Sequence, residues 1–155
     1  MNRPIFITGI GTGVGKTLVS SIIVEAVEAD YWKPIQAGNE SPTDRESVIK
    51  NLTNINSVVH PEYLSLKMPV SPHYAAMMEN ILISVKEVCK QIPKYNCNLI
   101  VEGAGGLLVP LSKNEFVIDL IKELNAKVVL VSSGYLGSIN HSLLTAEVCL
   151  RHQLD

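Results

Sequence analysis

Nine residues near the start of the chain, from Gly9 to Thr17, constrain its fold more than any other segment. They read GIGTGVGKT, they follow a short apolar run at residues 5–8, and a stretch with helical periodicity begins at Leu18. A strand, a glycine-rich loop that ends in Gly-Lys-Thr and a helix together form a cradle for the phosphates of a nucleotide. The segment therefore predicts a phosphate-binding loop, which we call the phosphate loop.

Each residue type in the phosphate loop has a chemical reason to be there. Glycines have no Cβ, so backbone N–H groups can turn inward and approach a phosphate. A helix that begins near Gly15 directs its free N–H groups and the positive end of its dipole at the same anion. Lys16 adds a charge for the β and γ phosphates, and the Thr17 hydroxyl is placed to hold Mg²⁺. We expect nucleotide contacts from Gly11, Thr12, Gly13, Val14, Gly15, Lys16 and Thr17.

The spacing of the loop departs from the common G-x-x-x-x-G-K-[ST] pattern. Counting back from Gly15, the first glycine of that pattern belongs at Ile10, whereas the chain has Gly9 and Gly11 on either side of it. A chance run of glycines in a turn is the alternative interpretation. The position of Gly-Lys-Thr between a predicted strand and a predicted helix favours a phosphate site.

Length and composition predict one α/β domain with an aliphatic core. The chain has 155 residues, of which 46% are hydrophobic and only 5% are aromatic. A parallel sheet covered by helices is rich in Val, Ile and Leu. The net charge of −2 provides no overall field for nucleic acid. The three cysteines and four histidines lack zinc-site spacing, and the start of the chain carries no leader or membrane span, so we expect a cytoplasmic protein.

The hydrophobic periodicity predicts strands that alternate with helices, as in a P-loop fold with a parallel sheet. We expect strands at residues 5–8, 31–35, 98–102 and 128–132, and helices at residues 16–28, 44–52, 73–78, 83–91, 116–124 and 139–151. Prolines make the segment 36–72 loop-rich. Four strands are few for such a sheet. We therefore expect residues 1–155 to form a single ATP-binding domain that lacks further C-terminal βα units.

Three charged residues outside the phosphate loop are candidates for the same site. Glu102 ends a predicted strand and precedes a glycine-rich turn, where it suits Mg²⁺ or is simply a solvated carboxylate. Lys33 ends the second predicted strand, where it either neutralises phosphoryl oxygens or is an ordinary surface lysine. Asp44 is either a second metal ligand or, like Thr43, the cap of a helix.

Two predicted helix starts are further candidates. Ser71-Pro72-His73 has the order of a helix cap followed by a proline in the first turn. Gly137 and Ser138 open the last predicted helix, whose free N–H groups suit an anion such as a carboxylate. A purely structural helix start is the alternative for both segments.

Together these clusters resemble the dethiobiotin synthetases, from residue 5 to about residue 146. The resemblance rests on the order of the motifs, of which the early Gly9 is one. The others are Lys33-Pro34-Ile35 with Gly38, Thr43-Asp44, Ser71-Pro72-His73, the run VEGAGG from Val101 with Val109-Pro110, and the run LGSINH from Leu136.

The resemblance implies an ATP- and Mg²⁺-dependent cyclo-ligase of biotin biosynthesis. Such an enzyme closes a cyclic urea on 7,8-diaminononanoate with CO₂ or bicarbonate. One amine becomes a carbamate, whose oxygen attacks the γ-phosphate to give a carbamic–phosphoric anhydride. The second amine then closes the ring and expels phosphate. The resemblance also implies a homodimer with the substrate at the interface.

The resemblance further implies roles for individual residues. It assigns catalysis to Thr12, Lys16 and Lys33, and Mg²⁺ binding to Thr17, Asp44 and Glu102. It adds Glu102 and Gly105 to the nucleotide contacts. The implied substrate contacts are Lys33, Ala37, Ser71 and Pro72, together with Gly137, Ser138, Ile139 and Asn140, which hold the carboxylate tail bound to a second copy of the chain.

The chain departs from the family pattern at several points. Ala37 stands where a hydroxyl residue is common, and Gly13 stands where some members have an acidic residue. The segments with which the family reads adenine would follow the last predicted helix. Two alternatives remain open: a ligase of the cobyrinate diamide synthase type, and an ATPase switch like ParA or MinD. Those switches generally carry an additional lysine early in the phosphate loop, and residues 10–14 contain none.

Overall fold

Strands and helices alternate along most of the chain in the computed structural model, which describes residues 2–95 and 97–155. The strands within these ranges are β1 (Ile5–Gly9), β2 (Asp30–Trp32), β3 (Ile35–Ala37), β4 (Leu64–Leu66), β5 (Leu99–Gly106) and β6 (Lys127–Val131). The helices are α1 (Lys16–Val27), α2 (Asp44–Asn51), α3 (Pro72–Met78), α4 (Val85–Lys90), α5 (Val117–Glu123) and α6 (Ser138–Arg151). Each helix lies within about two residues of its predicted bounds.

Four strands form a parallel sheet in the order β2-β5-β1-β6. Strand β1 lies in the centre, where Ile7 pairs with Glu102 of β5 and with Val129 of β6. The carboxyl ends of parallel strands meet at one edge of a sheet, where ligands commonly bind. The phosphate loop after β1 therefore lies beside the end of β5. The predicted parallel α/β fold with flanking helices is confirmed.

Both faces of this sheet are buried against helices. Phe6, Leu99 and Val101 point to the face that α3, α4 and α5 cover. Ile7 and Ile100 point to the opposite face, where Val24 of α1 and Val48 of α2 pack against them. Alternate residues of one strand thus enter two separate hydrophobic clusters, as expected for a sheet with helices on both sides.

The predicted strand at residues 31–35 is wrong, because the chain leaves the sheet at Lys33-Pro34. Strand β2 ends at Trp32 and pairs with β5, whereas β3 begins at Ile35 and pairs with β4 in a separate two-stranded parallel sheet. Proline has no N–H to donate to a sheet. The Pro34 carbonyl instead accepts hydrogen bonds from the N–H groups of Tyr63 and Leu64. Lys33 is thereby freed from regular strand pairing.

Two further expectations about the strands are corrected. Strand β4 lies in the segment expected to be loop-rich, and its three residues are too few to show a period. Strand β5 runs to Gly106 instead of ending at Glu102, so its glycines belong to the strand. A Cβ on Gly103 would lie 2.6 Å from Cε1 of Phe6, which explains why a strand contains glycine there. Within the described ranges, no helix is both long and apolar enough to cross a bilayer.

Candidate functional site

The phosphate loop joins the central strand β1 to α1. Gly13 and Gly15 both have positive φ values, 73° and 95°, which few other residues adopt without strain. Gly15 caps α1, so the free N–H groups of the first helical turn face the loop. A Cβ on Gly9 would lie 2.6 Å from Cγ2 of Val14, whose side chain is buried against the sheet. The early glycine is therefore needed for the loop to fold back over the end of β1.

A cavity of about 630 Å³ opens beside the phosphate loop at the carboxyl edge of the sheet. Twelve of the predicted site residues line this cavity: Thr12, Gly13, Gly15, Lys16, Thr17, Lys33, Ala37, Asp44, Ser71, Pro72, Glu102 and Gly105. Residues from five separate parts of the sequence therefore meet at one place. Gly11 and Val14 belong to the same loop but do not line the cavity.

Glu102 is almost completely buried, with 1% of its surface exposed, and four side chains lie within hydrogen-bond distance of it. Its Oε1 accepts from the Thr17 hydroxyl at 2.9 Å and from Lys33 Nζ at 3.3 Å. Its Oε2 accepts from the Ser20 hydroxyl at 2.8 Å and from the Tyr31 hydroxyl at 3.0 Å. The interpretation of Glu102 as a solvated carboxylate is therefore wrong.

Asp44 faces the same point from α2. Its Oδ1 accepts from the Thr17 hydroxyl at 2.7 Å, and its Oδ2 lies 2.5 Å from Lys33 Nζ. Thr43 caps α2 by accepting a hydrogen bond from the Glu46 N–H, and the Glu46 side chain accepts from the Thr43 N–H in return. Because this capping box satisfies the helix start, the Asp44 carboxylate is free to face the site.

The charges in the site compensate one another. Burial alone would lower the pKa of Lys33, but Glu102 and Asp44 outweigh it and raise that pKa above its ordinary value. Burial alone would raise the pKa of Asp44, but Lys33 outweighs it and holds the pKa below its ordinary value. The alternative of Lys33 as an ordinary surface lysine is wrong, because Lys33 is a buried cation between two carboxylates.

Lys16 is the second cation of the site. Its Nζ donates to the carbonyl of Gly11 at 2.9 Å, so the side chain folds back over the phosphate loop. Burial lowers the pKa of Lys16, and the neighbouring positive charge of Lys33 lowers it further. Two cations in one cavity repel each other, and an anionic ligand between them would relieve that repulsion.

The oxygen atoms around Thr17 fit a small divalent cation. The Thr17 hydroxyl has one proton for two carboxylate acceptors, Asp44 and Glu102, so these three groups crowd around one point. No group of three or more His, Cys, Asp or Glu side chains suited to a metal occurs in residues 2–95 and 97–155. Two carboxylates and a hydroxyl are too few to enclose Ca²⁺, but they suit Mg²⁺, which keeps waters and shares phosphate oxygens.

Several lining or contacting residues were not predicted from the sequence. Ser20 lies one helical turn after Thr17, a spacing that could have placed it on the same face of α1. Trp32 of β2 pairs with Val101 of β5, so the side chains of Tyr31 and Glu102 reach each other only once these two strands pair. The remaining unpredicted lining residues are Gln36, Pro69, Val70, Ala104 and Val109.

The predicted carboxylate-binding segment lies away from this cavity. Gly137 caps α6 with a φ of 98°, and α6 begins at Ser138. Neither Ser138, Ile139 nor Asn140 is among the residues that line the cavity of its own chain. Their assignment to the substrate of a second copy remains a prediction.

Comparison with known proteins gives consistent matches over nearly the whole chain. The family model described as an AAA domain matches residues 3–155. A protein of Cytophaga hutchinsonii named ATP-dependent dethiobiotin synthetase BioD is 51% identical over 150 residues, which cover 96% of this chain and 71% of that protein. Proteins of the same name from Christiangramia forsetii and Chlamydia pneumoniae are 46% and 42% identical; the matches cover 100% and 97% of this chain, and 73% and 67% of those proteins. The chain belongs to the dethiobiotin synthetase family, as the order of its motifs predicts.

Proposed function

We propose that this chain is an ATP-dependent cyclo-ligase that forms dethiobiotin from 7,8-diaminononanoate and CO₂ in biotin biosynthesis. The observation that carries the proposal is the meeting of Lys33, Asp44 and Glu102 beside the hydroxyl of Thr17 in the phosphate loop. This arrangement can hold a triphosphate and a second anion together. Family membership and the names of the relatives support the same reaction.

The proposed reaction requires two anions to meet. A carbamate and a γ-phosphate oxygen about 4 Å apart, each with a unit charge, repel by about 4 kcal/mol at an effective dielectric constant of about 20. Lys16, Lys33 and the positive end of α1 supply positive charge that is already in place, so no reorganisation is needed when the anions react. Lys33 would contact the carbamate and the γ-phosphate, and Thr12 would line the same space.

The oxygen atoms of Thr17, Asp44 and Glu102 would hold Mg²⁺. There the ion would neutralise charge on the phosphate oxygens. The ammonium of Lys33 lies beside both carboxylates, so it is placed to attract the carbamate while the carboxylates attract the metal. Ala37 lines the cavity without a hydroxyl, so its side chain can offer the carbamate no hydrogen bond.

We further propose that two copies of the chain form a dimer and that Gly137, Ser138, Ile139 and Asn140 of one copy hold the substrate carboxylate at the other site. Two features support this proposal. Helix α6 has no buried residue, and Leu136 and Ile139 at its start are among the exposed apolar side chains.

The three free cysteines suit a reducing compartment, and we propose the cytoplasm.

An assay of product and nucleotide tests the proposed reaction. The purified chain is incubated with MgATP and bicarbonate, with and without 7,8-diaminononanoate, and dethiobiotin and ADP are measured by mass spectrometry. We expect dethiobiotin to form and ADP formation to rise strongly with the diamine. ADP formation that ignores the diamine and rises only with a protein or membrane partner would instead favour a ParA- or MinD-like switch.

A further inference from the structure

The two carboxylate oxygens of Glu102 have different kinds of partner. Oε1 faces the site, where Thr17 and Lys33 donate to it. Oε2 faces the interior, where the hydroxyls of Ser20 and Tyr31 donate to it at 2.8 Å and 3.0 Å. Neither Ser20 nor Tyr31 lines the cavity, so neither would touch a nucleotide or substrate there. These two hydroxyls therefore act on Glu102 and on nothing else in the site.

The surroundings of these two hydroxyls are rigid. Ser20 and Tyr31 are both fully buried, Ser20 on α1 and Tyr31 on β2. Tyr31 pairs with Ile100 in the sheet, so its ring is fixed relative to β5, the strand that carries Glu102. Donors attached to a regular helix and a paired strand hold their acceptor more closely than donors on a loop would. The fold itself therefore supplies the donors that orient the carboxylate plane of Glu102.

A buried carboxylate needs such donors for a second reason. An ionised group out of water is strongly unfavourable unless hydrogen bonds or opposite charges replace its hydration. Oε1 has the Lys33 ammonium beside it, but Oε2 has only the two neutral hydroxyls. Without them Glu102 would gain by rotating Oε2 toward the site, and the site would no longer present a single, fixed oxygen.

We propose that Tyr31 and Ser20 are positioning residues that hold Oε2 of Glu102 so that only Oε1 is offered to Mg²⁺. The inference rests on the proposed function, because that proposal makes Glu102 a metal ligand. The ligand that Oε1 of Glu102 would bind is a divalent cation that enters the site together with a nucleotide. The geometry carries the inference: both donors are buried, and each lies within 3.0 Å of Oε2.

Binding of Mn²⁺ tests the inference without the reaction. Free and bound Mn²⁺ are distinguished by electron paramagnetic resonance, in the presence of a non-hydrolysable ATP analogue. We expect Tyr31→Phe and Ser20→Ala each to weaken Mn²⁺ binding by about 10- to 100-fold, the usual effect of removing a group that orients a metal ligand. The double variant should bind more weakly than either single variant, and Ser20→Thr, which keeps a hydroxyl, should restore binding.

Tyr95→Phe is the matched control. The Tyr95 hydroxyl also donates one hydrogen bond, to the Asn2 carbonyl at 2.7 Å, and Tyr95 does not line the cavity. We expect this variant to bind Mn²⁺ as the unmodified chain does. A loss of binding caused by removing any buried tyrosine hydroxyl would appear in both variants, whereas a positioning role affects only Tyr31→Phe. If Tyr31→Phe does not fold, Ser20→Ala decides the question, because it removes a single oxygen atom from α1.

Two outcomes would overturn the inference. One is that folded Tyr31→Phe and Ser20→Ala bind Mn²⁺ with the analogue as tightly as the unmodified chain. The other is that Glu102→Gln leaves Mn²⁺ binding unchanged, because Glu102 would then not be a ligand at all. The two proposals can fail separately. If the unmodified chain makes no dethiobiotin but Tyr31→Phe and Ser20→Ala still weaken Mn²⁺ binding, the positioning role stands and the proposed reaction is wrong.

Discussion

Lys33 is the residue on which the chemistry of this site depends most. It is 5% exposed and lies between the carboxylates of Asp44 and Glu102. Its ammonium therefore lies beside the phosphate loop at the edge of the cavity. A buried lysine normally loses its charge, but here the two carboxylates retain it. The fold thus holds the charged ammonium of Lys33 at the point where two anions are proposed to meet.

Replacing this cation tests its catalytic role. We expect Lys33→Ala to reduce the turnover number for dethiobiotin formation by about 10²- to 10³-fold, the usual loss when one preorganised donor is removed. Circular dichroism should show a folded but less stable protein, since Asp44 is partly exposed and can turn toward water whereas Glu102 stays buried without its counter-charge. Lys50→Ala is the control, because Lys50 is an exposed lysine of the same helix α2 as Asp44 and lines no part of the cavity. Normal turnover in folded Lys33→Ala would contradict the role.

At the scale of single elements, local patterns predict some features and miss others for physical reasons. The phosphate loop could be predicted because its strand, glycines and helix are contiguous. The break at Lys33-Pro34 could not be placed, because an apolar run through Tyr31 and Ile35 resembles one strand until β4 competes for its second half. The contact of Tyr31 with Glu102 was likewise hidden, since it depends on pairing between strands that are far apart in the chain.

The early glycine of the phosphate loop makes a prediction at this scale. In Gly9→Ala the new Cβ would meet Cγ2 of the buried Val14 at 2.6 Å, so loop and strand must move apart. We expect a loss of about 1–3 kcal/mol in the free energy of unfolding, the typical result of overpacking, and weaker binding of the ATP analogue. Chemical denaturation and calorimetric titration measure the two effects.

A second substitution identifies the clash. Val14→Ala in the Gly9→Ala background removes the atom that the new Cβ would meet but also deletes buried apolar surface, so the double variant should lose less stability than the two single variants together. The relief is partial because the carbonyl oxygen of Gly11 also lies 3.0 Å from that Cβ. If the stability lost by the double variant equals the sum of the two single losses, the clash with Val14 is not the reason why residue 9 is glycine.

Hydrogen bonds between Glu25 of α1 and the segment after α2 predict that the stability of the fold depends on pH. Glu25 of α1 accepts hydrogen bonds from both the backbone and the side chains of Thr53 and Asn54. The hydroxyl and amide of these side chains lower the pKa of Glu25 most, and with the backbone N–H groups they hold it at about 2, against the ordinary value of 4.5. A lowered pKa stabilises the fold fully above pH 4.5, and this contribution is lost as the pH falls toward about 2.

Comparison with Glu25→Gln isolates this contribution. At pH 6 we expect the variant to melt at a lower temperature than the unmodified chain, and at pH 3 the difference should be smaller. Glu147→Gln is the control, since Glu147 is an exposed carboxylate of α6 that takes part in no side-chain hydrogen bond among the described residues. A difference in melting temperature that is the same at both pH values would contradict the role of the Glu25 charge.

At the scale of the whole molecule, the sheet is covered on both faces but α6 is not covered on its outer side. Ile139, Leu143 and Leu150 are 77%, 67% and 75% exposed. They are separated by four and seven residues, so they lie along one side of the helix. Apolar surface of this extent on a helix commonly marks a contact with another protein. The proposed dimer would cover it and bring the start of α6 to a second site.

This face and the cavity are separate, so the dimer can be disrupted without altering the nucleotide site. We expect Leu143→Glu to convert a dimer into a monomer, because a charge would be buried without a partner in the interface. Sedimentation equilibrium measures the mass. Mn²⁺ binding with the ATP analogue should persist, because all the proposed metal ligands lie within one chain. Dethiobiotin formation should fall, because the diaminononanoate carboxylate would lose the α6 start of the partner. Ile55→Glu, at a 96% exposed apolar residue outside α6, should remain dimeric and active. A Leu143→Glu monomer with full activity would mean that each chain binds its substrate alone, and the assignment of Gly137, Ser138, Ile139 and Asn140 to the partner's site would be wrong.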